Sequence, residues 1–224
     1  LPPAGDFAEL RRRLRDVPLG EVAHKPSRTT DAAAHARMLA EVLPEARDRL
    51  DRIVAMATER AVAGAAVIHG DLHEAQVIVE GGRITGLLDI DDVAPGAVLD
   101  DLATVLGHLR YRTATDDNPA RAATIGAYAD RLTAEFAHVL ADEGIAGTAL
   151  DAATAAVLVG LATGPFRIQM QGWQTATWAV LDVAENLMRE VSDGPHRAVT
   201  TDRHHEDVGG AADTDRDSTN RSNP

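Results

Sequence analysis

The spacing of apolar residues changes character along this chain. Phe7, Leu10 and Leu14 fall three and four apart, which predicts a short amphipathic helix from Asp6, its capping residue, to about Asp16. The preceding LPPAG reads as a turn or linker. A second helix is predicted from Thr30 or Asp31 to about Val42, with Met38, Leu39 and Val42 on one side. A third follows Pro44, and Leu50, Ile53, Val54 and Ala57 make its stripe. Arg47, Arg49 and Arg52 are expected on the solvated face, and Gly64 closes this block. The period then shortens. Val67-Ile68 is a brief apolar run, and Val77 to Glu80 and Arg83 to Leu88 are rich in β-branched and apolar residues around Gly81-Gly82. That is a hairpin signal, because both central residues of a type I′ turn need positive φ.

Helical spacing returns afterwards. Asp100, read as a cap, opens a segment to about Arg112 with Leu102, Val105, Leu106 and Leu109 at core positions. Asn118-Pro119 is a cap followed by proline at the first helical position, and the helix it starts carries Ile125, Tyr128, Leu132, Phe136, Val139 and Leu140 up to Gly144. Leu150–Thr163 and Phe166–Val191 are predicted as two more helices, separated by Gly164-Pro165, with Trp173 and Trp178 as core or pocket wall. Residues 192–224 hold few apolar side chains and are expected to be a disordered tail. The sum is a mostly helical α+β domain over residues 1–191: a helical block at 6–64, a loop and hairpin at 67–92, and helices at 100–191.

Composition changes this picture in three respects. A net charge of -13 argues against nucleic acid as a partner, since phosphate backbones call for a basic face, and it is compatible with a cationic small molecule. The chain has no cysteine, which rules out disulfides and thiolate metal sites and fits a cytoplasmic protein. Leu150–Thr163 reads as too short to span a bilayer, so no membrane role is expected. Lys25 is the sole lysine, in an extended HKPSR run that reads as a solvated loop able to touch a phosphate.

The chemistry concentrates between Val67 and Ala103, VIHGDLHEAQVIVEGGRITGLLDIDDVAPGAVLDDLA. If Glu80 faces Arg83 across the hairpin, Gln76 pairs with Leu87 and lies diagonal to Asp89. An amide oxygen and a carboxylate so placed can share one hard cation such as magnesium. Asp71, on the loop before Gln76, can accept a proton from a substrate hydroxyl. Asp71, Gln76 and Asp89 together suit phosphoryl transfer, with one base and two cation ligands. His69 and His73 read as hydrogen-bonded loop residues, and Asp91 as a solvated acid able to approach the metal or a cationic substrate.

These residues resemble the aminoglycoside phosphotransferase and choline kinase-like family, the small-molecule branch of the protein-kinase-like fold. The family's catalytic loop reads roughly HGDxHxxN, and residues 69–76 here read HGDLHEAQ. LLDIDD at 87–92 matches the acidic end of its hairpin, and Gly96 with Asp101-Leu102-Ala103 matches its following Gly-Asp-Leu-Ala segment. The resemblance implies the C-terminal lobe of a kinase-like fold, ATP as phosphoryl donor, Mg2+ as cofactor, and a small-molecule hydroxyl as acceptor. It makes Asp71 the catalytic base, Asp89 the main magnesium ligand, Gln76 the second, Asp101 a brace for the catalytic loop, and His69 a residue that helps hold it.

Two features depart from the family. Gln stands at 76 where Asn is usual, which keeps the amide oxygen but adds a methylene. The residues before His69 read as helices, with no Gly-rich strand-turn-strand or strand lysine, so the nucleotide-binding lobe is not visible and the chain is expected to be a fragment of a longer enzyme. An alternative is a catalytically inactive kinase-like binding or regulatory module. Another is a zinc hydrolase built on His69, His73 and Asp89.

Overall fold

The computed structural model describes residues 1–192, so the tail expected beyond Ser192 lies outside the described residues. Three helices come first: α1 (Ala4–Arg15), α2 (Arg28–Val42) and α3 (Arg47–Glu59), the last introduced by a 3-10 turn at Pro44–Ala46. Four short strands follow, β1 (Ala66–Ile68), β2 (Val77–Glu80), β3 (Arg83–Leu87) and β4 (Ala94–Gly96). Then come α4 (Val98–Thr115), α5 (Pro119–Asp142), α6 (Gly147–Leu161), α7 (Gly164–Arg167) and α8 (Trp173–Ser192). The strands form two separate antiparallel pairs, β1 with β4 and β2 with β3. The described residues thus contain no five-stranded nucleotide lobe.

The helices share two apolar cores. One gathers α4 and α5 with Phe7 of α1 and Leu72 of the loop after β1; the other gathers α2, α3 and α8. Helix α6 serves both. Leu150, Ala153 and Val157 enter the first core, while Ala152, Ala155, Leu158 and Val159 enter the second. A helix apolar on every side is one buried on every side. This corrects the length argument made from sequence: Gly147–Arg167, 21 residues, is long and apolar enough to cross a membrane, but 72% of its apolar 18-residue stretch is buried within the fold. Gly107 lets α4 approach α6 closely, since a Cβ there would stand 2.5 Å from Val157 Cγ1.

Several local expectations are overturned by tertiary partners. Asp6 does not cap α1, which starts at Ala4 with no side-chain cap. Its carboxylate is buried in the first turn, accepts from the Ile84 backbone N–H at 3.0 Å, and pairs with Arg83 at 3.0 Å. Asp100 likewise lies inside the first turn of α4, buried and accepting from Ser27 Oγ at 3.1 Å. Arg49 is not solvated: only 18% of its side chain is exposed, it bonds Asp182 and Glu185 at 2.6 Å each, and it sits 5.6 Å over the Trp178 ring. The single helix expected over Phe166–Val191 is broken at 168–172, where Gln169 and Gly172 take φ of 53° and 73°. The Asn118 cap stands as read, accepting from the N–H groups of Ala120 and Arg121 at 3.1 Å each.

Candidate active site

Strand β1 delivers the chain into His69-Gly70-Asp71, and β4 returns beside it with Ile68 opposite Ala94. The turn between them is held from beneath by α4. Asp101, 0% exposed, accepts from the backbone N–H of His69 at 2.8 Å and of Gly70 at 2.9 Å. Burial pushes its carboxyl above the ordinary carboxylate range, opposed by those two amides and by the Arg11 guanidinium. His69 is itself fully buried, and its Nε2 donates to the Leu88 carbonyl at 2.8 Å. One side chain therefore ties together two segments, the one that carries Asp71 and the one that carries Asp89.

Gln76 and Asp89 do meet, though not by the register expected. Thr85 forms a bulge in β3, so Val77 rather than Gln76 pairs with Leu87. Gln76 accepts from the Leu88 N–H through its backbone carbonyl at 2.8 Å. Asp89 then takes a left-handed conformation, φ 52° and ψ 56°, which Asp tolerates better than most residues. The result is a side-chain hydrogen bond from Gln76 Nε2 to Asp89 Oδ2 at 3.3 Å. Rotating the amide by 180° would set Oε1 beside the carboxylate, giving two hard oxygen donors at an exposed position. Asp91 is exposed beside them, with no hydrogen bond or ion pair among the described residues.

Asp71 lies on the loop between β1 and β2. Its carboxylate lines a cavity of about 250 Å3 with Asp31 and His35 of α2, Thr104 and His108 of α4, and Arg167 of α7. His73 accepts from the Ala75 N–H through Nδ1 at 3.3 Å, its Nε2 lies 4.0 Å from Asp71 Oδ2, and its ring stacks on His108 with centroids 4.1 Å apart. The zinc set proposed from sequence is not assembled among the described residues: His69, His73 and Asp89 do not converge, and His69 Nε2 is committed to the Leu88 carbonyl. The group that does converge is Asp71, His73 and His108, with ligand atoms within 4.8 Å of one another.

Three supporting residues escaped the sequence reading. Arg11 is 2% exposed and donates to the Val67 carbonyl at 2.8 Å, bracing β1 from α1. Its place four residues after Phe7 and three before Leu14 puts it on the buried face, and that was the available signal. His108, four residues after Thr104, shares that residue's cavity-facing side of α4. Lys25 is not simply solvated: its Nζ bonds Asp92 Oδ2 at 2.6 Å, and its backbone N–H donates to the Pro95 carbonyl at 2.9 Å. Gly70 leaves it room, for at φ +84° a Cβ would stand 2.7 Å from Nζ.

A buried aspartate gripping the turn before a loop acid, followed by an exposed amide–carboxylate pair, coincides with a family pattern spanning residues 4–139, that of the phosphotransferase enzyme family. The chain belongs to that family. No curated protein sequence matches it significantly. A solved relative in fold is a thermostable mutant of aminoglycoside phosphotransferase APH(4)-Ia, in a ternary complex with AMP-PNP and hygromycin B. The match has a TM-score of 0.53 at 14% identity and covers 85% of this chain and 65% of that one. At that identity the likeness shows the fold, a kinase-like phosphotransferase lobe. This chain spans just under two thirds of the length of that relative.

Proposed function

We propose that this chain carries the base and the metal ligands of an ATP-dependent phosphotransferase that moves the γ-phosphoryl group to a hydroxyl of a small molecule. The observation that carries the reading is the linked set Asp101–His69–Leu88, which fixes the backbone on either side of two functional acids. Asp71 accepts the acceptor hydroxyl's proton as the new O–P bond forms and the bond to the β-phosphate oxygen breaks, releasing ADP. Asp89 and Gln76 would hold the cation, which would supply neutralisation of phosphate charge. Asp101 and Arg11 keep the loop in place at no cost of reorganisation during the reaction.

The acceptor sits in the cavity beside Asp71. At about 250 Å3 it lies just below the usual range for small-molecule pockets, roughly 300–1,000 Å3, which suits a compact acceptor. Carboxylates of Asp31 and Asp71, offset in part by Arg167, suit a polar acceptor that can carry a cationic group, and the bound hygromycin B in the solved relative supports the small-molecule class. We place this activity in the cytoplasm, in keeping with the absence of cysteine.

A second reading, an inactive binding module, is favoured by the Gln76 amide nitrogen facing Asp89. Manganese titration in the presence of ATP, followed by electron paramagnetic resonance, separates the two on protein expressed from the complete coding sequence. The enzyme reading expects stoichiometric binding lost in Asp89→Ala. Manganese affinity unchanged by that substitution would overturn the assignment of the cation site.

A further inference from the structure

Helix α4 and the loop after β1 meet with their chemistry in register. His108 and Arg112 are four residues apart on α4 and so share one side of it, while His73 and Glu74 are adjacent on the loop. Arg112 donates to Glu74 Oε1 at 2.9 Å, and His108 stacks on the His73 ring with centroids 4.1 Å and planes 4° apart. The ion pair thus holds together the two segments that carry the imidazoles. Asp71 completes the group. One ligand atom from each of Asp71, His73 and His108 lies within 4.8 Å of the others, and all three residues are half-buried.

Two imidazoles and a carboxylate suit a borderline transition-metal cation such as zinc or cobalt, whereas magnesium takes oxygen ligands. Three protein ligands leave a fourth position open, and the cavity of about 250 Å3 that Asp71 and His108 line gives it room. Ligand atoms around tetrahedral zinc stand about 3.3 Å apart, from bonds of about 2.0–2.1 Å. The set therefore has to draw in by about 1.5 Å at most, with the His108 ring turning out of its stack toward the cavity it borders. A second, independent observation concerns Glu74. Its Oε2 is buried with no hydrogen-bond partner among the described residues and lies 3.9 Å from His73 Nδ1. A histidine that ligates a metal through one ring nitrogen typically gives the N–H of the other to a carboxylate. Nδ1 otherwise accepts only a long bond, 3.3 Å, from the Ala75 N–H. With Nε2 on a metal the proton sits on Nδ1, and Glu74 Oε2 is the oxygen beside it.

We propose that Asp71, His73 and His108 form a binding site for a borderline divalent transition metal, with Glu74 orienting His73. The site is distinct from the oxygen donors of Gln76 and Asp89. A cation bound there occupies the carboxylate that the acceptor hydroxyl needs, so the site is inhibitory. That consequence rests on the phosphotransferase reading; the binding itself does not.

Cobalt titration without nucleotide, read by visible absorption and reversed by zinc, tests the site on the full chain. One equivalent of cobalt should develop the intense bands of a four- or five-coordinate ion with nitrogen ligands. His108→Phe keeps a ring to stack on His73 and removes the ligand; it and His73→Gln should each weaken binding by about tenfold or more at an unchanged melting temperature. Glu74→Gln should weaken it by about tenfold. Asp89→Ala and the tail pair His204→Ala/His205→Ala should leave the bands unaltered. Absence of such bands at millimolar cobalt would overturn the proposal, as would equal affinity in His108→Phe and His73→Gln, or a loss in Asp89→Ala or the tail pair. In the transfer assay with excess magnesium, zinc should inhibit, and His108→Phe should raise the half-inhibitory concentration by about tenfold or more. Equal inhibition of both proteins would overturn the inhibitory role. Cobalt bands without any transfer by the unsubstituted protein would refute the phosphotransferase reading and uphold the metal site.

Discussion

Replacing Asp101 with alanine strips the turn before Asp71 of its anchor. Two buried amides, those of His69 and Gly70, lose acceptors at 2.8 and 2.9 Å. Each donor left unsatisfied costs about 1–3 kcal/mol. Arg11, 2% exposed, also loses the carboxylate that contributes most to offsetting the burial of its charge, which adds to the cost. These effects overlap, and the relief of burying the carboxylate works against them, so about 3–5 kcal/mol is the expected net loss. Domains are stable by only about 5–15 kcal/mol, so the variant should sit near the edge of folding. Urea unfolding at pH 7, followed by far-ultraviolet circular dichroism, reads the change. The companion Arg11→Met should be less than additive with Asp101→Ala by about 1–3 kcal/mol if the two charges are coupled. A loss below about 1 kcal/mol in Asp101→Ala, with an unchanged urea slope, would refute the anchoring argument.

Three further outcomes are expected. Gly70→Ala should destabilise by about 1–3 kcal/mol in the same urea experiment. Its φ of +84° disfavours a side chain, and a Cβ would meet both Lys25 Nζ at 2.7 Å and the Asp92 carbonyl at 2.8 Å. Asn118→Ala should lower stability by about 1 kcal/mol through loss of two cap hydrogen bonds to α5. Tyr128 keeps its proton up to about 12 in the folded chain, against about 10 when unfolded. Between those values the folded state holds a proton that the unfolded state has released, so stability falls as pH rises. Tyr128→Phe should flatten that fall in a pH series of unfolding curves.

The elements were legible in local pattern, and the same pattern is what nominated the candidate acids. Period and turn chemistry located the helices and the Gly81-Gly82 hairpin, and the spacing of HGDLHEAQ and LLDIDD marked Asp71, Gln76 and Asp89. The register was off by one because Thr85 bulges, and Gly86, which pairs with Ile78, was the overlooked sign of irregularity in that strand. Asp6 and Asp100 looked like caps because their true partners, Ile84 and Ser27, lie 78 and 73 residues away in the chain. Arg11 and Lys25 were hidden for the same reason. A long cationic side chain reads as solvated until a fold supplies the carbonyl or carboxylate that it reaches.

Phosphoryl transfer itself is the most direct test. With protein expressed from the complete coding sequence, magnesium, γ-labelled ATP and a panel of amino sugars, choline-like alcohols and other sugars, label should pass to an acceptor hydroxyl. Asp71→Asn should reduce that transfer by about 100-fold or more, the contribution typical of a general base, with its unfolding midpoint unchanged. Transfer at a near wild-type rate in Asp71→Asn would contradict the assignment of the base.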